Sequence, residues 1–162
     1  MRNVWVMNLK DNRGTGENKN FDEKFRFCYE HNILAIGWAN SEYDKNDLGL
    51  KKAKNALCKM QRGDIVWVRN PYTGERYLCE VLNDRILSFP CSFHAFDAAY
   101  GRICEYHLVK QEQYEAITDF STQLVSFSTV HSVTKESVIK ETNELFESTC
   151  RYEKDLTLLT ER

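Results

Sequence analysis

At 162 residues, with 42% apolar and 28% charged side chains, the chain is long enough to bury one core of ordinary size and too apolar to be a disordered tail. A net charge of −2 denies it the global basic field of a non-specific nucleic-acid binder, so such a partner needs a local site. No apolar run is long enough to cross a bilayer, and Met1 to Val6 has neither the apolar segment nor the cleavage site of a signal peptide. A cytoplasmic setting is expected, with Cys28, Cys58, Cys79, Cys91, Cys104 and Cys150 as free thiols acting as small hydrophobes.

Taken in order, Val4 to Leu9 is a compact apolar run with β-branched valines and Trp5, which predicts a strand buried on both faces. Lys10 to Asn20 is polar and glycine-bearing, and reads as a loop whose Lys10, Arg13 and Lys19 either meet a phosphate or are simply solvated. Asn20 with Glu23 has the form of a capping box opening a helix to about His31, with Phe21, Phe25, Cys28 and Tyr29 at helical spacing. A short strand follows and ends in Ile36-Gly37-Trp38. Asp47 is placed to cap a second helix whose apolar face carries Leu50, Ala53, Ala56, Leu57 and Met60. Its lysines, Lys51, Lys52, Lys54 and Lys59, form a face that solvation alone explains.

Gly63 closes that helix. Asp64 to Arg69, the turn Asn70 to Glu75, and Arg76 to Leu82 predict a β-hairpin. Ile86 to Phe89 and Ile103 to Val109 predict further strands, with an irregular, aromatic-rich connection between them. Gln111 to Ile117 predicts a short helix, and Leu124 to Val130 a strand or extended segment. From Thr134 a last amphipathic helix runs to about Tyr152, with Val138, Ile139, Thr142, Leu145, Phe146 and Thr149 on one face. The expected fold is α+β: a small mixed, barrel-like sheet flanked by helices, spanning residues 1–132. Residues 133–162 form a C-terminal helix and tail, packed on the domain or mediating self-association.

Chemistry-bearing patterns are sparse. Cys91/His94 and Cys104/His107 are two C-x2-H pairs, enough for tetrahedral zinc, but in no familiar finger spacing. Buried cysteines and hydrogen-bonded histidines are the favoured explanation, and no metal or cofactor is expected. There is no phosphate-loop, dinucleotide or nucleophile-elbow sequence. Asp64 and Glu80 on the hairpin strands lack the following lysine of a metal-dependent nuclease, so the chain reads as more a binder than an enzyme.

The aromatic residues point to recognition. Trp5, Trp38 and Trp67 lie on segments predicted to share one sheet, and an unpaired or flipped base is held by aromatic faces with polar groups at its edge. Trp38 follows a glycine at a strand end, where binding residues commonly sit on a rigid support; the alternative is that it caps the core.

Asn8-Leu9-Lys10, Ile36-Gly37-Trp38-Ala39-Asn40, the helix from about Leu48, Gly63-Asp64-Ile65-Val66-Trp67-Val68 and Gly74-Glu75-Arg76-Tyr77-Leu78-Cys79-Glu80-Val81 together resemble the PUA-like superfamily, and within it EVE and YTH domains. The resemblance covers roughly residues 3–82. It implies a mixed β-barrel with flanking helices that holds a modified nucleobase, on DNA or RNA or as a nucleotide, in an aromatic cage. Relatives of this kind occur as reader modules in bacterial restriction and defence proteins. On this resemblance Trp38 is the first cage residue, with Ala39 and Asn40 beside it. Asn8, Lys10 and Asn12 form the polar pocket region, and Trp67, Phe89, Phe93 and Phe96 are candidates for the opposite wall. The alternatives are a protein-interaction or homodimerisation module without nucleic acid and, less favoured, a metal-dependent nuclease or hydrolase.

Overall fold

The computed structural model describes residues 1–9, 21–37, 48–124 and 129–160, with side chains left aside at 21, 22, 48 and 150–160. The expected N-caps at Asn20 and Asp47 lie outside these residues. The elements are β1 (Val4–Met7), α1 (Phe21–His31), β2 (Ile33–Ile36), α2 (Leu48–Lys59), β3 (Ile65–Arg69) and β4 (Arg76–Val81). They continue with β5 (Leu87–Ser88), α3 (Cys91–His94), β6 (Tyr100–Val109), α4 (Gln111–Glu115), α5 (Phe120–Gln123), β7 (Val130–Ser132) and α6 (Glu136–Thr160).

The strands form one curled mixed sheet in the order β2-β6-β4-β3-β1-β7, with β5 also on β6. Among the described residues only β1 and β3 run parallel; the other pairings are antiparallel. This is the α+β architecture expected of the sequence. The hairpin is formed as predicted, and its register sets Ile65 opposite Glu80 and Arg69 opposite Arg76. Its turn is held by Asn70, whose side-chain oxygen accepts the backbone N–H of Tyr72 at 2.9 Å.

Both sheet faces are covered, so the strands are apolar on both sides. Trp5, Met7, Val66, Val68, Cys79 and Val81 pack with α1 and α2 residues such as Phe25, Cys28, Ala53 and Leu57. The alternate positions Val4, Val6, Ile65, Trp67 and Leu78 pack with Ile117, Leu124, Val138 and Phe146 from the α4–α6 side. The first turns of α6 are therefore docked on the sheet. Cys28, Cys79 and Cys104 are buried as expected, whereas Cys58 and Cys91 are exposed.

Three local expectations differ. Of the strand or extended segment expected from Leu124 to Val130, residues 125–128 lie outside the described residues; Leu124 follows a one-turn helix, α5, and Val130 opens β7. The irregular stretch from Pro90 contains the single turn α3, since Pro90 fixes its own φ and donates no hydrogen bond, a good start for a helix. The last helix begins at Glu136 and runs to Thr160, past the end expected at about Tyr152, and so takes in most of the expected tail. Among the described residues no helix is long and apolar enough to cross a membrane.

Candidate functional site

Strand β2 delivers the chain to Gly37, and α1 runs antiparallel beside it, bringing Lys24 to the same end. Gly37 is buried, and a Cβ built there would lie 1.6 Å from the Asp97 carboxylate oxygen Oδ1. Glycine is thus required by a close approach. Lys24 Nζ donates to Asp97 Oδ2 at 3.1 Å, with the two side chains only 1% and 4% exposed. Asp97 adopts φ +58°, a left-handed conformation that Asp tolerates better than most residues. Ala99 N–H donates to the Ile36 carbonyl at 2.8 Å and ties this corner to the end of β2. The residue before Trp38 therefore rests on a buried, charged floor.

Cys28 lies in the same knot. Burial, against the opposing pull of Lys24, pushes its thiol up to about 12, so it is a neutral packing group and not a nucleophile.

Of the expected site residues, Lys10, Asn12, Trp38, Ala39 and Asn40 lie outside the described residues. Phe89 is buried and stacks on Phe93 with centroids 5.3 Å apart. Phe93 in turn meets Phe27 edge-on at 5.0 Å, and Phe27 stacks on Phe96 at 4.2 Å and on His31 at 4.0 Å. The three phenylalanines of the irregular connection thus form one cluster with α1. Sequence reasoning missed Phe27 and His31, although their i, i+4 spacing was the available signal. A second cluster, also missed, joins Phe25, Tyr29, Tyr77 and Tyr106, in which Tyr29 stays 47% exposed.

Trp5 and Trp67 point to opposite faces of the sheet. Trp5 Nε1 donates to Asp64 Oδ2 at 3.0 Å, and Trp67 Nε1 donates to Thr142 Oγ1 at 3.1 Å. Each is a core residue with its one donor satisfied. Asn8 follows Val6 on the α6 face and borders a small cavity of about 130 Å³ together with Trp67, Arg69, Arg76 and Leu124. Asn8 and Trp67 are therefore brought together, and Phe89 lies in the other layer.

The zinc set does not converge. Cys104 packs into the α1/α2 layer, while His107, three residues on, meets Phe146 on the opposite face. Among the described residues no group of three or more His, Cys, Asp or Glu side chains could hold a metal ion. Asp64 accepts from Trp5 and from the Gln61 N–H, and Glu80 pairs with Arg2, so both hairpin carboxylates serve the fold.

In comparison with known proteins, no family model and no curated protein matches the chain. Among solved structures it is similar to the YTH domain of the Zygosaccharomyces rouxii MRB1 protein in complex with N6-methyladenosine RNA, at 10% identity and a TM-score of 0.48, covering 90% of this chain and 86% of that one. It is also similar to a hypothetical protein from Leishmania major, at 12% identity and a TM-score of 0.46, covering 91% and 96%. A protein from Agrobacterium tumefaciens is similar at 16% identity and a TM-score of 0.41, covering 88% and 92%.

Proposed function

We propose that the protein is a non-catalytic reader that takes a modified nucleobase, on DNA or RNA or as a nucleotide, against Trp38 at the exit of β2, in the manner of the PUA-like domains its sequence resembles. The setting proposed with it is recognition of modified nucleic acid by a defence or restriction factor. The observation that carries this is the floor beneath Gly37. A buried ion pair adds less stability than well-packed apolar residues of the same volume. Lys24 and Asp97 nevertheless occupy this corner, and the missing Cβ of Gly37 leaves room for the Asp97 carboxylate. Such a floor gives the next residue a rigid, polar support, which is what a base-reading aromatic needs. The net charge of −2 means that affinity rests on the pocket more than on counterion release.

The test is binding of a panel of modified and unmodified oligonucleotides to the wild type and to Trp38→Ala. Stacking contributes about 1–3 kcal/mol per base, so the variant should lose about 5- to 150-fold in affinity for the preferred modification while keeping its unfolding midpoint. Equal affinity for the two proteins would overturn the proposal.

A further inference from the structure

The hairpin ends in an arrangement that the fold itself does not explain. Arg69 and Arg76 lie directly opposite each other at the last register position of β3 and β4. Like charges facing across an antiparallel pair repel. Neither guanidinium has a carboxylate partner among the described residues. Arg76 is half-buried and held in place by aromatic rings instead, 4.5 Å from the centroid of Phe120 and 5.4 Å from that of Tyr114. Burial and the neighbouring Arg69 both press its proton affinity down, as expected where positive charge is uncompensated. The two arginines border the cavity of about 130 Å³ whose wall also includes Asn8 and the Trp67 ring. The Asn8 side chain makes no hydrogen bond within the described residues. That volume holds several waters and is enough for an oxyanion.

We infer that this cavity is a phosphate-binding site, in which Arg69 and Arg76 take the oxygens of a phosphate group and the Asn8 amide donates to a third. Planar guanidinium forks suit that task, and an anion between them turns a repulsive pair into a clamp. The site draws on Asn8 and Trp67, two residues expected in the base pocket, but lies on the α6 face of the sheet, whereas the Lys24–Asp97 floor beneath Gly37 lies in the α1 layer. The phosphate comes either from a small phosphomonoester or inorganic phosphate, or from the terminal phosphate of a nucleic-acid strand.

The experiment titrates inorganic phosphate into the full chain at fixed ionic strength, following heat and thermal shift, with Arg69→Gln, Arg76→Gln and Trp38→Ala alongside. Saturable binding is expected in the wild type and in Trp38→Ala, with at least a tenfold weaker Kd in each arginine variant. Arg69 is exposed, so its variant keeps the fold even where Arg76→Gln disturbs the aromatic contacts. A 5′-phosphorylated oligonucleotide binding at least tenfold tighter than its 5′-hydroxyl twin, with the gain lost in Arg69→Gln, identifies the strand terminus as the source. Phosphate binding without that gain identifies the small phosphate. No saturable phosphate binding by the wild type, an unchanged Kd in Arg69→Gln, or a lost site in Trp38→Ala would each sink the inference.

Discussion

Asp97 is the residue on which the corner before Trp38 turns. It fills the space a Cβ at Gly37 would occupy and receives the Lys24 ammonium in a place closed to water. Removing the charge from one partner of a buried pair costs about 3–5 kcal/mol. Asp97→Asn separates charge from shape, because Asn tolerates the left-handed backbone as well as Asp does. Urea unfolding of Asp97→Asn is expected to show a loss of that size with an unchanged m-value. A loss below about 1 kcal/mol would mean that the pair is worth no more than an exposed one. The glycine before the tryptophan was legible in the sequence, but its reason was not. Asp97 lies sixty residues downstream, and no local pattern links it to Gly37.

Among the elements, α2 ends on a device that no periodicity reveals. The Arg102 side chain is fully buried and donates through Nη1 to the carbonyls of Leu57 at 2.7 Å and Met60 at 2.6 Å. Its Nε donates to Asn83 Oδ1 at 3.0 Å, and its Nη2 to the Asn83 carbonyl. One guanidinium therefore closes the C-terminus of a helix and pins the break between β4 and β5, both of which pair with β6. A cation at helix-end carbonyls is favourable by charge as well as by hydrogen bonding. Arg102→Leu strands those buried acceptors and should cost about 3 kcal/mol or more. Hydrogen exchange is expected to rise first in the last turn of α2 and in residues 82–88; protection unchanged there would refute the role. The β3–β4 hairpin, by contrast, was legible throughout, because its strand propensity, its turn residues and its spacing all agree. Helix α5 and strand β7 were not, because a single turn and a three-residue strand are too short for a period to show.

At the scale of the whole molecule, a sheet covered on both faces buries groups that can ionise only in alkali. Burial raises the Cys28 thiol from 9.0 to about 12 and the Tyr77 phenol from 10.0 to about 12, and it lifts Cys79 and Tyr106 well above their ordinary values. A raised folded pKa favours the protonated form in the native state. The stability it supplies is complete below the unfolded pKa and is lost as the pH climbs from about 9 towards 12. The melting temperature should therefore hold between pH 7 and pH 8.5 with respect to these groups and fall above pH 9. Cys28→Ala should flatten that fall, and an unaltered alkaline slope in the variant would contradict the assignment.

The sequence by itself determined the α+β class, the hairpin and the amphipathic helices, because those follow from periods of two and 3.6 residues and from turn residues close together in the chain. Only the tertiary structure decided which face each side chain serves. It sent Trp5 and Trp67 to opposite layers, split Cys104 from His107, set Phe93 and Phe96 against Phe27, and set Arg69 against Arg76 beside a cavity. Those outcomes depend on strand order and on contacts between residues far apart in the chain. They are chosen by the packing of two layers against one sheet and not by any local preference.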